Sequence, residues 1–190
     1  VFIDANNSGG SDTTDANGYY QLTVDYGWSG MVEPNKAGYT FEPNGIGYNN
    51  AVIDQNDNYT ATLDTFIISG YVVDSVMLEQ LDDVLLSPDN DGGSYTSRYY
   101  GGGHDTTDAN VYYEVLVDYN FAGKIVPSRY AYAFQPDSIA YANVTEDKTE
   151  EQDYAGTLLT YIITGCIKNS CEVPIENVLV DANNGGGSGI

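Results

Sequence analysis

The chain has 190 residues, long enough for about two domains. Its 28 Asp and Glu stand against 6 Lys and Arg, a formal net charge of -22, which excludes electrostatic attachment to nucleic acid or to an anionic membrane. An aromatic content of 13%, with 18 tyrosines, argues against disorder and for β-structure. No apolar run approaches the roughly 18 residues of a membrane-spanning helix, so membrane insertion is not expected.

The first segment, Val1-Phe2-Ile3-Asp4-Ala5-Asn6-Asn7, alternates with period two and places Val1 and Ile3 on one face of a strand. A polar loop follows, and Asp15-Ala16-Asn17-Gly18 is a hairpin turn signal. Tyr20, Leu22 and Val24 then alternate with Gln21, Thr23 and Asp25, predicting a strand with one buried face. In Trp28–Pro34, Val32 should point inward and Met31 outward. Tyr39–Pro43 offers Phe41 as a core residue, and a last strand is expected near Tyr59–Leu63.

The same series then returns. Phe66–Asp74 places Ile68, Gly70 and Val72 on one face, and the glycine there suggests close approach of another chain segment. Val84 and Leu86 take the places of Val1 and Ile3. The loop after them is longer, with an insertion near 95–104 that holds Tyr99, Tyr100 and His104. Asp105–Asn110 repeats Asp12–Asn17, but Val111 stands where the first turn has Gly18, so this turn must avoid or tolerate a positive φ. Tyr113, Val115 and Val117, then Ile125, Phe134, Tyr141 and Tyr154–Leu158, match their first-copy counterparts.

A third start is present. Tyr161–Asn169 has the pattern of Phe66–Asp74, and Val178–Asn184 repeats Val1–Asn7, with Val178 and Val180 on the inner face. The chain thus reads as a window on a tandem array. The expected division is residues 1–64, a repeat without its first strand; 65–159, a complete repeat; and 160–190, the first strands of a further repeat or a donor segment. The joins Leu63-Asp64-Thr65-Phe66 and Leu158-Leu159-Thr160-Tyr161 contain no flexible linker. About seven short strands per repeat, with no helical periodicity, predict an all-β fold of β-sandwich repeats, the first and last units incomplete.

The series Ile68-Ser69-Gly70 with Val72, then Thr14-Asp15-Ala16-Asn17-Gly18-Tyr19-Tyr20, then Gly38-Tyr39-Thr40-Phe41, resembles the carboxypeptidase regulatory-like domain. That family has a transthyretin-like, Ig-like β-sandwich and is related to the B-type repeats of Gram-positive surface adhesins. The resemblance covers essentially the whole chain. It implies non-catalytic, often tandem, extracellular modules and names no ligand. Some adhesin repeats of this kind carry a Lys–Asn crosslink. Lys168 lies in a first strand, but the complete repeat has Val73 in that place, so no such crosslink is expected.

Several residues are candidates for chemistry. Asp4, Asn6, Asp12, Asp15 and Asn17 fall in two loops that follow adjacent strands, as do Asp89, Asn90, Asp91, Asp105 and Asp108. Calcium would take six to eight such oxygens. No EF-hand spacing is present, and turn chemistry on a solvated acidic surface accounts for the same residues, so both readings stand. No cofactor is required. Cys166 and Cys171 suggest a disulfide across a short hairpin, against a pair of reduced strand cysteines. Asn6, Asn58 and Asn143 open glycosylation sequons. Tyr99, Tyr100 and Trp28 are the candidates for stacking on sugars or for subunit contact. His104 has no accompanying hydrolase signature and reads as an exposed loop residue.

The expected function is structural: a non-enzymatic segment of an extracellular or cell-surface fibre, filament, stalk or adhesin. Its partners would be further copies, by self-association or by continuation of the same chain. The alternative is a carbohydrate-binding or spacer module array of a secreted polysaccharide-degrading enzyme, with glycans as partners.

Overall fold

The computed structural model describes residues 1–77, 79, 81–89, 103–149, 152–182 and 188–189. Every regular element among them is a strand. The chain divides into two compact units, Val1–Leu158 and Leu159–Ile190.

In the first unit, the first sequence copy supplies β1 (Phe2–Ala5), β2 (Gly10–Thr13), β3 (Trp28–Asn35), β4 (Tyr39–Glu42), β5 (Ile46–Ala51) and β6 (Thr60–Leu63). The second copy supplies β7 (Thr65–Asp74), β8 (Leu85–Asp89), β9 (Asp105–Thr106) and β10 (Tyr112–Asp118). It continues with β11 (Phe121–Ser128), β12 (Tyr132–Gln135), β13 (Ile139–Val144) and β14 (Tyr154–Leu158).

The two copies build one sheet in the same way. The order β2-β1-β3-β5 corresponds strand for strand to β9-β8-β11-β13. The registers agree as well: Phe2 opposes Asn35 as Leu85 opposes Ser128, and Val32 opposes Ile46 as Ile125 opposes Ile139. The outer pair of the other sheet also matches, with Tyr39 opposite Leu63 and Tyr132 opposite Leu158.

The copies differ in the middle of that second sheet. The second copy completes it as β10-β7-β14-β12, with β7 antiparallel to β10 and parallel to β14. The first copy has only β4-β6. The cores follow. Ile68, Val72, Val84, Leu86, Tyr113, Val115, Val117, Ile125 and Tyr154 form one buried cluster drawn from both sheets of the second copy. In the first copy Ile3, Ala5 and Val32 alone form the buried cluster. An all-β chain of several antiparallel sheets with such a core is consistent with a β-sandwich.

Most inward positions read from alternation hold in the first unit: Ile3, Val32, Phe41, Val84, Leu86 and Ile125 are buried and Met31 is exposed, whereas Val1 and Phe134, expected inside, are half-buried. One strand expected in this unit is absent. Residues 19–25 form no strand, although Tyr113–Val117 lies within β10. The alternation itself survives, with Tyr20, Leu22 and Val24 half-buried and Gln21, Thr23 and Asp25 exposed. β10 is a strand because β7 pairs with it from Tyr112↔Tyr71 to Asp118↔Thr65. Residues 19–25 have the side-chain pattern without that neighbour, and a ladder needs two chains.

The copies join tightly. Asp64 N–H donates to the Gly38 carbonyl at 2.9 Å, and Tyr119 N–H donates to the Asp64 carbonyl at 2.9 Å. The Tyr119 ring lies against Gly38, where a Cβ would come within 2.1 Å of it. Gly38 also sits at φ 76°, so two requirements coincide on this glycine. Among the described residues no sheet runs through both copies.

In the second unit, Asn169 accepts the Cys171 and Val173 amides through its side chain, and Lys168 bridges antiparallel to Pro174. Two short strands, β15 (Val180–Asp181) and β16 (Ser188–Gly189), pair. Residues 161–167 form no strand, and Tyr161, Ile162 and Ile163 are exposed. The expected inner face at Val178 and Val180 is not buried: Val178 is half-buried and Val180 exposed.

The turn before β10 tolerates its odd residue. Val111 adopts φ 61° while being buried, where the first copy has Gly18 at φ 81°. A left-handed conformation costs an L-residue about 1–2 kcal/mol, which burial of the valine side chain offsets by about 1.5–3 kcal/mol. Val111→Ala should therefore be destabilising, because it keeps the backbone cost and loses methyl groups. Val111→Gly should be no worse than Val111→Ala, despite removing one carbon more. Denaturant midpoints of the two variants check the order.

Candidate functional site

One concavity in the described chain follows from the difference between the copies. It is a groove of about 810 Å³ lined by Gly18–Tyr26 and Ala51–Asn58 together with Trp28, Val32 and Tyr48. By sequence correspondence, Tyr20 with Tyr113 and Tyr59 with Tyr154, this is the first-copy equivalent of the place that β7 fills between β10 and β14.

Three tyrosines hold the groove, and their bonds recur in the second copy. Tyr20 Oη donates to the Asp57 carbonyl at 3.0 Å, as Tyr113 Oη donates to the Gln152 carbonyl at 2.6 Å. Tyr59 Oη donates to the Val32 carbonyl at 2.7 Å, as Tyr154 Oη donates to that of Ile125 at 2.8 Å. Tyr48 Oη donates to Asp57 Oδ2 at 2.8 Å, and Tyr141 Oη donates to Gln152 Oε1. The ring pairs match too: Tyr20 and Tyr59 lie 6.2 Å apart at 46°, Tyr113 and Tyr154 6.1 Å apart at 48°. The framework is thus built alike in both copies. Tyr113 and Tyr154, in the strands that flank β7, are buried, whereas Tyr20 and Tyr59 are half-buried; Tyr48 and its counterpart Tyr141 are both half-buried.

Removal from water penalises each phenolate. Burial, then the neighbouring Tyr20 and Asp57, pushes the Tyr59 hydroxyl up to about 12. Burial and the Asp57 carboxylate push Tyr48 up further, and the same two causes raise Tyr20. Burial raises Tyr113, Tyr141 and Tyr154 in the second copy.

The chemistry of the filled site is visible in β7. Its Ile67 and Tyr71 amides donate to Asp147 and Asp153 carboxylates at 2.9 and 2.8 Å, and its Ser69 amide donates to the Lys148 carbonyl. Gly70 is required there, because a Cβ would stand 2.6 Å from the Gln152 carbonyl oxygen. The site therefore recognises an extended backbone through its amides and tests side-chain size at one position.

The acidic loop residues are used in turns. Asp12 accepts the Thr13 and Gln21 amides, and Asp105 likewise accepts the Glu114 amide. Asp15 accepts the Asn17 and Tyr19 amides, and Asp108 those of Asn110 and Tyr112. These backbone donors hold the Asp15 and Asp108 carboxyls below the usual range. The Asn17 side chain donates to Asp15, and Asn6 accepts the Met31 amide. Asp4 is exposed, and Asp89 ends β8. Among the described residues no group of three or more His, Cys, Asp or Glu side chains comes together as a metal site. Asn90, Asp91, Tyr99 and Tyr100 lie outside the described residues.

Trp28 is built into the fold. Its indole N–H donates to the Asn7 carbonyl at 3.2 Å, its ring lies 5.8 Å from that of Tyr48, and Gly9 and Gly30 make room for its edge. Cys166 and Cys171 are exposed free thiols rather than a disulfide. The reason is register: the hairpin turns at Cys171 itself, so Cys166 does not face it across the pair. Lys168 pairs with Glu172 at 3.0 Å. Asn6, Asn58, Asn143 and His104 are exposed.

The chain matches no family model, no curated protein and no solved structure. The tyrosine framework is the feature that alternation alone did not single out. Its signal was present in the recurrence of Tyr20, Tyr48 and Tyr59 as Tyr113, Tyr141 and Tyr154.

Two predictions follow from the hydroxyls. Tyr154→Phe leaves the Ile125 carbonyl without its donor in a dry core and should cost about 1–3 kcal/mol. Tyr59→Phe should cost about 0.5–1.5 kcal/mol, because water can reach its half-buried site. Chemical denaturation of both variants tests the order. The second concerns alkali. A tyrosine whose folded pKa is raised contributes stability that is complete below its unfolded pKa, about 10, and is lost as pH rises through the folded value. Stability should hold to about pH 10 and fall steeply toward pH 12 and beyond, with tyrosinate absorbance appearing as far-ultraviolet circular dichroism is lost.

Proposed function

We propose that the chain is a non-catalytic structural segment of an extracellular fibre, filament, stalk or adhesin, built from tandem transthyretin-like, Ig-like β-sandwich repeats. The observation that carries this reading is the joint at Asp64. One residue separates β6 from β7, and its carbonyl and amide are both spent on the two copies it joins. The Tyr119 ring against Gly38 and the Phe66 ring 6.4 Å from that of Tyr119 fill the same joint. A one-residue joint held by two backbone hydrogen bonds and a packed ring would transmit orientation from one repeat to the next, as a rod requires. The charge of -22 supports the same reading by keeping neighbouring rods apart and soluble. A surface or extracellular setting is part of the proposal and follows from the sequence resemblance.

Backbone amide relaxation is the test. Residues 1–63 and 65–158 should share one rotational diffusion tensor. Gly38→Val, which adds a Cβ where Tyr119 lies and strains a positive φ, should uncouple them. Independent tumbling of the two copies in the unaltered chain would contradict a stiff structural segment.

A further inference from the structure

We propose that the tyrosine-lined groove of the first copy is an acceptor for an extended strand, and that its occupant is the Tyr161–Asn169 segment of a second copy of this chain. The inference rests on the fibre reading and deepens it, by naming how one chain could join the next.

Four observations carry it. First, the acceptor framework is already built. The tyrosine hydrogen bonds and ring angles around the groove repeat those around β7. Second, the chain carries a segment patterned like β7. Tyr161-Ile162-Ile163-Thr164-Gly165-Cys166-Ile167 follows Phe66-Ile67-Ile68-Ser69-Gly70-Tyr71-Val72 position by position. Third, among the described residues Tyr161–Cys166 has no ladder partner and its apolar side chains lie in water, while Ile167 and Asn169 are held in the hairpin that follows. Ile163 is 96% exposed and Ile167 41%, whereas their counterparts Ile68 and Val72 are wholly buried. A segment of strand-like pattern with free backbone groups and exposed apolar side chains is suited to pairing with an open sheet. Fourth, the connection fits a head-to-tail joint. Leu158 to Tyr161 is as long as Leu63 to Phe66, at most about 10 Å of chain, and the latter link hands β7 forward into the copy that follows.

Transferring the β10–β7 register gives the docked pairing. Tyr20 opposes Gly165, Leu22 opposes Ile163 and Val24 opposes Tyr161, as Tyr113, Val115 and Val117 oppose Gly70, Ile68 and Phe66. The donated strand ends at Asn169, where the hairpin held by Lys168 and Pro174 turns the chain. The limit is sensible, because Val178–Asn184 repeats a strand that the acceptor already has as β1. Asn58 replaces Asp153 as the acceptor for the Cys166 amide. The strand edge of residues 19–25 gains the ladder it lacks.

Gly165 gives a selective test. A Cβ there meets nothing within 4 Å in the free chain, but at the equivalent Gly70 it would stand 2.6 Å from a backbone carbonyl. Sedimentation velocity of the 190-residue chain under reducing conditions, over a concentration series, should show open-ended association. Gly165→Val should weaken that association by more than about tenfold while leaving the circular dichroism of the dilute chain unchanged. Added synthetic peptide of residues 160–169 should bind the Gly165→Val chain and cap the unaltered one. A monomeric unaltered chain that nevertheless binds the peptide would overturn the second copy as occupant, pointing instead to a strand from elsewhere in a continuous array. That result would leave the fibre reading standing. Association indifferent to Gly165→Val, or no binding of the peptide at all, would overturn the strand-acceptor assignment itself. The fibre reading is decided separately, by the stiffness of the Asp64 joint.

Discussion

A β-strand presents donors and acceptors along both edges, and the structure turns on where β7 finds partners for both rows. One edge pairs with β10 over seven residues. The other runs parallel to β14 at Val72–Asp74 and is served further back by Asp147, Asp153 and the Lys148 carbonyl. Its inward side chains, Ile68 and Val72, then enter the largest buried cluster. With β7 in place, β10 is a strand, Tyr113 and Tyr154 lose contact with water, and the sheet has four members. Where no described segment takes that place, the same sequence pattern is an alternating coil beside a groove. The two copies thus act as an internal comparison of one architecture with and without its central strand.

Tyrosine suits this design for a physical reason. Its ring supplies apolar area to a core, and its hydroxyl reaches a carbonyl at the core's edge. Tyr154 and Tyr59 each bridge to a carbonyl of the facing sheet, at Ile125 and Val32, while Tyr113 and Tyr20 bridge to the loop before the last strand. The bonds tie sheet to sheet and sheet to loop without a charge having to be buried. They also keep the groove of the first copy in the shape of the filled site, so that shape does not depend on β7 alone.

The sequence made much of this legible, and its failures are informative. Inward positions such as Ile3, Val84 and Ile125 followed from period two, because a strand has only two faces. The β-composition and the recurrence of Asp-Thr-Thr-Asp-Ala-Asn set the class and the repeat. Residues 19–25 were read as a strand because side-chain pattern reports burial, whereas strand assignment also needs a partner chain that no local pattern contains. The cysteine pair was placed across a hairpin, but the turn centres on Cys171, a matter of register that spacing does not determine. The acidic loop residues looked equally suited to a cation and to turns. In the structure Asp12, Asp15, Asp105 and Asp108 accept mostly backbone amides.

The central claim is that β7 makes its neighbour a strand, and that identical side-chain patterning does not. Native-state hydrogen exchange on the dilute chain tests it residue by residue. The amides of residues 113–117 that face β7 should exchange only through large-scale opening, while those of residues 20–24 exchange close to the rate of an open chain. Equal strong protection at both sites in the monomer would contradict the account.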